Sequence, residues 1–312
     1  MNDLIDIVEK AKSGELSRDE YWRAMQAQYL CLRQYQSLIA GGDVASIDIS
    51  ADELRVVTRE GIAMRWHPED IRTAPNILLN HGAFEPGESK LLLTAAAGAK
   101  VVFDVGANAG YYSLHWCSRL HPEGRVHAFE PVPSTYSHLV HNVSLNRLDG
   151  IIRPVNIGLG DDIKTVSFFL PAFSGSVAAS ERKLHPDEQN IEVRAHIDTL
   201  DRYFEMNGLT QLDLMKIDVE GAELFVLRGG ERTLARHKPL IFMELLRKWA
   251  KPFGYHPNDV ISLLAGMGYC CFAVDEGKLT RFFEMTDLTE QTNFFFADPG
   301  KHGDWLMQNG LA

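Results

Sequence analysis

The sequence predicts an α/β fold, a doubly wound parallel sheet of seven strands with helices on both faces. Three observations carry that reading. Residues 101–110 read VVFDVGANAG, an apolar strand running into a glycine-bearing loop. Residues 125–131 read RVHAFEP, a second strand that closes on an acid. Beyond them, short β-rich runs alternate with helical stretches, which implies parallel strands joined by right-handed crossovers.

Ser17-Arg18-Asp19-Glu20 is a capping box, with Ser17 as N-cap and Glu20 three residues on. Tyr21, Met25, Tyr29, Leu32 and Tyr35 then recur at helical spacing until Gly41-Gly42 stops the helix. Such an aromatic stripe is more often a packing face than a ligand surface, and either the body of the protein or a second subunit would cover it, making a homo-oligomer. Residues 54–58 and 62–66 flank Glu60-Gly61 as a β-hairpin. Helix and hairpin form an N-terminal extension, residues 1–80, ahead of a main domain at 81–312. A helix at 88–97 leads into the sheet. Strands are expected at 101–105, 125–129, 152–157, 212–217, 239–244, 269–274 and 292–297, with helices at 110–120, 134–146, 221–236 and 257–267. An insertion at about 161–211, containing Ser174-Gly175-Ser176, separates the third and fourth strands, where a substrate-selecting lid belongs.

Composition narrows the class. The 312 residues suffice for one large domain plus a smaller extension, and 45% hydrophobic with 23% charged residues is ordinary for a globular protein. A net charge of −11 and the lack of any Lys/Arg-rich run argue against a nucleic-acid partner. The four cysteines form no C-x-x-C pair and read as reduced thiols. The start, MNDLIDIVEKAKSGEL, has no basic then apolar leader, and no run of about 18 apolar residues predicts a membrane span. These features point to a cytoplasmic protein.

The first two strand ends suggest a cofactor. Asp104 closes the first strand, where open sheets place their ligands. Gly106 and Gly110 let the backbone turn tightly and approach a ligand. Glu130 ends the second strand, and an ionised carboxylate accepts both hydroxyl hydrogens of a ribose. A dinucleotide loop would read G-x-G-x-x-G, but Asn108 stands where the middle glycine would be. No G-x-x-x-x-G-K-[ST] occurs either. A ligand with adenine and ribose but no phosphate fits better. S-adenosylmethionine is such a ligand, and its sulfonium suits a pocket holding acids such as Asp104 and Glu130.

FDVGANAGYYSL, AFEPVPSTYSHLVHNVSLN and KIDVEGAELFVLRGG together resemble the FkbM-type S-adenosylmethionine-dependent methyltransferases. The likeness runs over about 84–296, and its most specific part is the block KIDVEGAE at 216–223. The resemblance implies the seven-stranded class I methyltransferase (Rossmann-like) fold. It also implies methyl transfer to a hydroxyl of a small molecule, with a sugar or glycoconjugate as the leading acceptor. Rival readings are an N-methyltransferase of a small metabolite and a methyltransferase-fold binding module without catalysis.

In the resembled fold an acid after the third strand meets the adenine amino group, which nominates Asp161. A Gly-Asp turn of no function is an equal reading. Asp218 and Glu220 follow the fourth strand, whose end faces the methyl group in that fold, so they are the candidates for holding and deprotonating a hydroxyl. Capping of the following helix competes for both, and Glu223 reads as a first-turn acid. Glu244 ends the fifth strand, and with Asp218 it offers two oxygen ligands to a divalent metal such as Mg²⁺. Two lone acids serve equally as a base and a sugar acceptor, and the metal ranks behind that reading. On the next helix back, Asn146 reads as a C-cap and Asn142 as a brace for the glycine loop. His81 and Glu85 stand before the first helix of the main domain, with no role assigned to either.

Overall fold

The computed structural model describes residues 4–171, 190–275 and 277–310. In chain order, α1 is Leu4–Ser13, α2 is Arg18–Ile39, and β1 Val44–Ile49, β2 Leu54–Thr58 and β3 Ala63–Trp66 form a three-stranded antiparallel sheet. The capping box on α2 is present, with Ser17 accepting from the Glu20 amide and Glu20 from the Ser17 amide. Next come α3 Ala74–His81, α4 Pro86–Ala95, β4 Val101–Val105, α5 Tyr111–Trp116, β5 Arg125–Phe129, α6 Pro133–Leu145, β6 Ile152–Val155 and β7 Gly158–Gly160. They are followed by β8 Lys164–Pro171, β9 Asn190–Thr199, α7 Leu200–Met206, β10 Leu214–Ile217, α8 Glu223–Arg228, α9 Glu231–His237 and β11 Leu240–Glu244. The chain ends with α10 Arg247–Ala250, α11 Pro257–Gly266, β12 Cys270–Asp275, β13 Lys278–Phe282, β14 Asn293–Ala297 and α12 Pro299–Gln308.

The main sheet runs β13-β12-β14-β11-β10-β4-β5-β6. Strands β6, β5, β4, β10 and β11 are parallel, and β14 is antiparallel between β11 and β12. Seven of these strands are in the class I methyltransferase order, and all seven expected strands are found. The eighth, β13, adds an antiparallel edge to β12. The strands read as unbroken apolar runs because both faces are covered. Val102, Leu214, Phe242 and Phe295 belong to the core beneath α4, α5 and α6. Phe103, Val105, Met215, Ile217, Ile241, Phe294 and Phe296 belong to the opposite core, with α7, α8, α9 and α11. The helix expected at 221–236 is two helices, broken at Gly229-Gly230.

Within 161–211, β8 and β9 join β7, just before it, in a small separate sheet of order β7-β9-β8. Phe168 and Ile197 from it form a third apolar cluster with Val132 of the main body. Ser174-Gly175-Ser176 lies outside the described residues.

The N-terminal sheet is fastened to the main body by two asparagines of α6. Asn142 Oδ1 accepts from the Arg65 amide and its Nδ2 donates to Ala109 O, each at 2.9 Å. Asn146, the C-cap of α6, accepts from the Ala63 amide at 2.9 Å and donates to Ala63 O at 2.7 Å. These amides do for edge strand β3 what a fourth strand would, satisfying its main-chain groups. Asn142 is buried, so Asn142→Ala would strand two main-chain groups. Urea unfolding is expected to show a loss of about 2–3 kcal/mol, whereas a change near zero would show that water replaces both bonds.

Candidate active site

The chain moves outward from β4 to β6 and then crosses back to β10. The crossovers beside β4 and β10 therefore leave in opposite directions, and a crevice opens above their carboxyl ends. A cleft there is lined from the ends of β4, β5, β10 and β11 and the loops that follow them.

The loop after β4 is shaped by close approaches. Gly106 has φ +77°, and an added Cβ would stand 1.8 Å from Asp218 O, so only glycine lets this loop lie against the end of β10. Gly110 has φ +92° and starts α5; a Cβ there would sit 2.7 Å from Leu139 Cδ1. Asn108, also left-handed at φ 50°, donates its amide to Glu130 Oε2 at 3.0 Å. Glu130 Oε1 accepts from the Val132 amide at 2.9 Å. Each carboxylate oxygen carries two lone-pair sites, so one remains on each for a diol. Burial pushes Glu130 up to about 7, against the pull of the two amides. Beside it Val132, Leu159, Phe168 and Ile197 give the cleft an apolar end.

The other end is acidic and organised by Lys216. Its Nζ stands 3.2 Å from Asp218 Oδ2, 3.4 Å from Gly106 O and 3.7 Å from Asp104 Oδ1. It also lies over the Tyr112 ring, 5.6 Å from its centre. Burial works against the ammonium, yet Asp218, Asp104 and Glu85 together raise it above the usual lysine value. Asp218 is the open member of the group, with 40% of its side chain exposed.

Glu220, held at φ 52°, is pushed up to about 8 by burial and then by Asp218 and Glu223. Burial, then Asp218 and Glu220, push Glu244 up to about 9. Glu85 is raised by burial and accepts from the Tyr112 hydroxyl. Glu223 lies beneath the 218–222 loop, accepting from the Gly221 amide at 3.1 Å and the Tyr255 hydroxyl at 2.9 Å. It braces the loop, a larger part than that of a first-turn acid.

The structure thus brings Gly106, Asn108, Glu130, Asp218, Glu220 and Glu244 to one cleft. Three expected site residues are not on its wall. Asp104 is wholly buried behind the loop, because its carboxylate turns to Ser113 Oγ at 2.6 Å and to Lys216. Gly110 faces α6. Asp161 points to solvent and Lys164, 3.4 Å away, while Gly158 and Leu159 just before it take the wall position. His81 is exposed and off the wall, whereas Glu85 is on it. Lys216, Tyr111, Tyr112, Arg72 and Thr73 also line the cleft without having been singled out. For Lys216 a signal existed: a lysine inside the apolar strand LMKI is a buried charge, which needs a partner.

Removing that charge isolates Asp104. Lys216→Met is expected to lower unfolding free energy by about 3–5 kcal/mol, the range for half of a buried ion pair. Adding Asp104→Asn should restore much of it. Equal stability of the single and double variants in chemical denaturation would refute this pairing.

Comparison with known proteins places the chain. A family model described as the methyltransferase FkbM domain matches residues 104–271, just over half of it. The chain is 30% identical over 194 residues to the methyltransferase sdnD of Sordaria araneosa, covering 54% of this chain and 73% of that protein. It is 26% identical over 237 residues to the hexuronic acid methyltransferase AglP of Haloferax volcanii, covering 76% and 82%. It is 28% identical over 156 residues to the 31-O-demethyl-FK506 methyltransferase FkbM of Streptomyces tacrolimicus, covering 42% of this chain and 59% of that relative. The glycine loop, Glu130 and the 216–223 block all fall inside the matched span, and the chain belongs to the FkbM family of S-adenosylmethionine-dependent methyltransferases.

Proposed function

We propose that this enzyme places a methyl group on a hydroxyl of a small-molecule acceptor, a sugar or glycoconjugate. The observation that carries the reading is the alignment of Glu130 and Asp218 across the switch point. They follow β5 and β10, two strands apart or roughly 10 Å, and line one cleft. The acidic end is rich in acceptors for hydroxyl hydrogens. One relative supports the oxygen direction by name, as a 31-O-demethyl-FK506 methyltransferase, and another, named a hexuronic acid methyltransferase, supports a sugar acceptor.

The donor set fits the cofactor. Glu130 has acceptor capacity for the ribose diol, Gly106 leaves the loop beside it without a side chain, Asn108 holds Glu130 through its amide, and the Val132, Leu159, Phe168 and Ile197 surface suits the faces of adenine. S-adenosylmethionine supplies, when bound, an electrophilic methyl on a positive sulfur. Asp218 accepts the hydroxyl proton and Lys216 fixes its direction. Burial and mutual repulsion push Glu220 and Glu244 toward their protonated forms, which lessens the like charge around Asp218 and offers hydrogen-bond donors to the acceptor. Asp104 and Ser113 act at one remove, through Lys216 and α5. Asp218 and Glu244 remain the two oxygen ligands on offer to Mg²⁺. Among the described residues no group of three or more His, Cys, Asp or Glu side chains is arranged to hold a metal ion.

No helix among the described residues is long and apolar enough to cross a membrane. All four cysteines are free thiols, which supports the cytoplasm as the site of action.

Glu130 gives the first test. A ribose diol needs the ionised acceptor, and the free enzyme holds this carboxyl at about 7. Calorimetry should therefore show S-adenosylhomocysteine affinity flat above pH 7 and falling about tenfold per unit below it. Glu130→Gln should bind weakly at every pH, and NAD should not bind. A wild-type affinity that does not change between about pH 5.5 and about pH 8, on either side of the raised value, would remove Glu130 from the site.

Asp218 gives the second. Asp218→Asn keeps a hydrogen-bonding group toward Lys216, so fold and S-adenosylhomocysteine affinity should persist while turnover falls by about 10²–10⁴. Transfer is followed with labelled cofactor over neutral sugars, uronic acids and amines. Normal turnover in Asp218→Asn would leave the residue as a helix cap, and labelling of amines alone would move the reaction to nitrogen. Turnover abolished by chelator and restored by Mg²⁺ would make Asp218 and Glu244 metal ligands.

A further inference from the structure

We propose that α2 is the interface of a homodimer, pairing antiparallel with the α2 of a second copy of this chain. Helix α2 is 22 residues long, and only Met25 in it is buried. From Tyr29 to Leu38 every residue is exposed, including Tyr29 at 55%, Leu30 at 51% and Leu32 at 55%. Helical stability in proteins comes mostly from packing an amphipathic face, so a helix exposed over this length lacks its usual support. The far end of α2 is held: Arg59 donates to Ile39 O and Ala40 O, and the Tyr35 ring approaches that of Trp66 at 6.3 Å. Between that anchor and Met25, the helix has its apolar side chains in solvent and no ion pair at helical spacing to support it. Arg33 is the only charged residue from Tyr29 to Leu38.

The sequence along one face identifies the occupant. Asp19, Trp22, Arg23, Gln26, Tyr29, Leu30 and Arg33 recur at three- and four-residue steps, so they share one stripe, and all are exposed. The stripe is self-complementary when reversed about Gln26. Arg33 then faces Asp19 of the partner, Leu30 faces Trp22, Tyr29 faces Arg23, and Gln26 meets its own copy. That gives two ion pairs, two apolar pairs, two cation–aromatic pairs and a central amide pair, as a two-fold interface requires. Met25, off the stripe, is buried within its own protomer. A lipid surface is a poorer match, because the stripe carries an acid and has no lysine.

The test uses the full chain. Sedimentation or light scattering over a dilution series should give a dimer for wild type. Leu30→Glu should weaken it by about two orders of magnitude, the scale for a central interface residue, with S-adenosylhomocysteine binding unchanged as the control for folding. Arg33→Glu and Asp19→Arg should each weaken the dimer alone, since each sets like charges opposite one another. Mixing those two variants should restore a heterodimer, because both cross-pairs are then opposite in sign. A wild-type chain that stays monomeric, a dimer indifferent to Leu30→Glu, or a mixture that does not recover would each overturn the proposal. So would a monomer that co-sediments with phosphatidylcholine–phosphatidylglycerol vesicles.

Discussion

Lys216 is an ammonium inside a sheet, and the cleft is built around keeping it paired. It sits in register with Asp104 on the neighbouring strand, so the two meet one layer below the carboxyl edge. A lone buried charge would cost several kcal/mol, and only a set of acceptors around it makes the position tenable. Here those acceptors are the Asp104 and Asp218 carboxylates and the Gly106 carbonyl. One contact thereby ties together the end of β4, the glycine loop and the first residue after β10. The loop comes so close to β10 that Gly106 has no room for a side chain. The lysine also lets several carboxylates share one small space. Glu85, Asp218, Glu220 and Glu244 all line the cleft. Without the cation their mutual repulsion would open it or force more of them to take protons.

Much of this fold is legible in the sequence because burial on both sides of a sheet leaves an unmistakable trace. VVFDV, LIFME and NFFFA are apolar without alternation, which is what strands facing two cores must be. The direction of a strand leaves no such trace. NFFFA lies antiparallel between two strands that run the other way, and its composition is that of its parallel neighbours. Short edge elements were also hard to see. Strand β13, KLTRF, is half exposed and carries two charges, the usual composition of a protected edge and also that of a loop. Strand β1, VASIDI, is similar. The short helices α3 and α12 carry a proline in their first turn, Pro75 and Pro299, and a proline there reads as readily as a loop.

The site divides along a different line. Residues whose place follows from standing at a strand end were legible: Glu130, Asp218, Glu220 and Glu244 come together because the sheet lays those ends side by side. Residues whose role depends on which way a side chain turns were not. Asp104 also stands near a strand end, but period-two alternation turns it under α5 toward Ser113. Asp161 missed by one short step: β7 ends at Gly160, so the wall falls to Gly158 and Leu159 and the acid goes to solvent. Sequence spacing of about two residues is enough to reverse such an assignment, and nothing local marks the difference.

The wall of the cleft also divides by origin, and this bears on what the enzyme accepts. Glu130, Lys216, Asp218, Glu220 and Glu244 lie inside the span shared with the family, residues 104–271. Arg72, Thr73, Ala74, Ile77, Phe84 and Glu85 line the same cleft from outside it. Arg72 carries positive charge toward Glu220 and opposes the rise in its pKa. The acidic end of the cleft is therefore a composite, with acids set by the sheet and a cation, Arg72, and the apolar surface of Ala74, Ile77 and Phe84 set by the segment before it. Asn142 and Asn146 clamp strand β3, only a few residues ahead of Arg72, to helix α6, and Asn142 holds the glycine loop with its other end. Changes in residues 72–85 can thus reshape that wall of the cleft while the loop and Glu130 stay fixed.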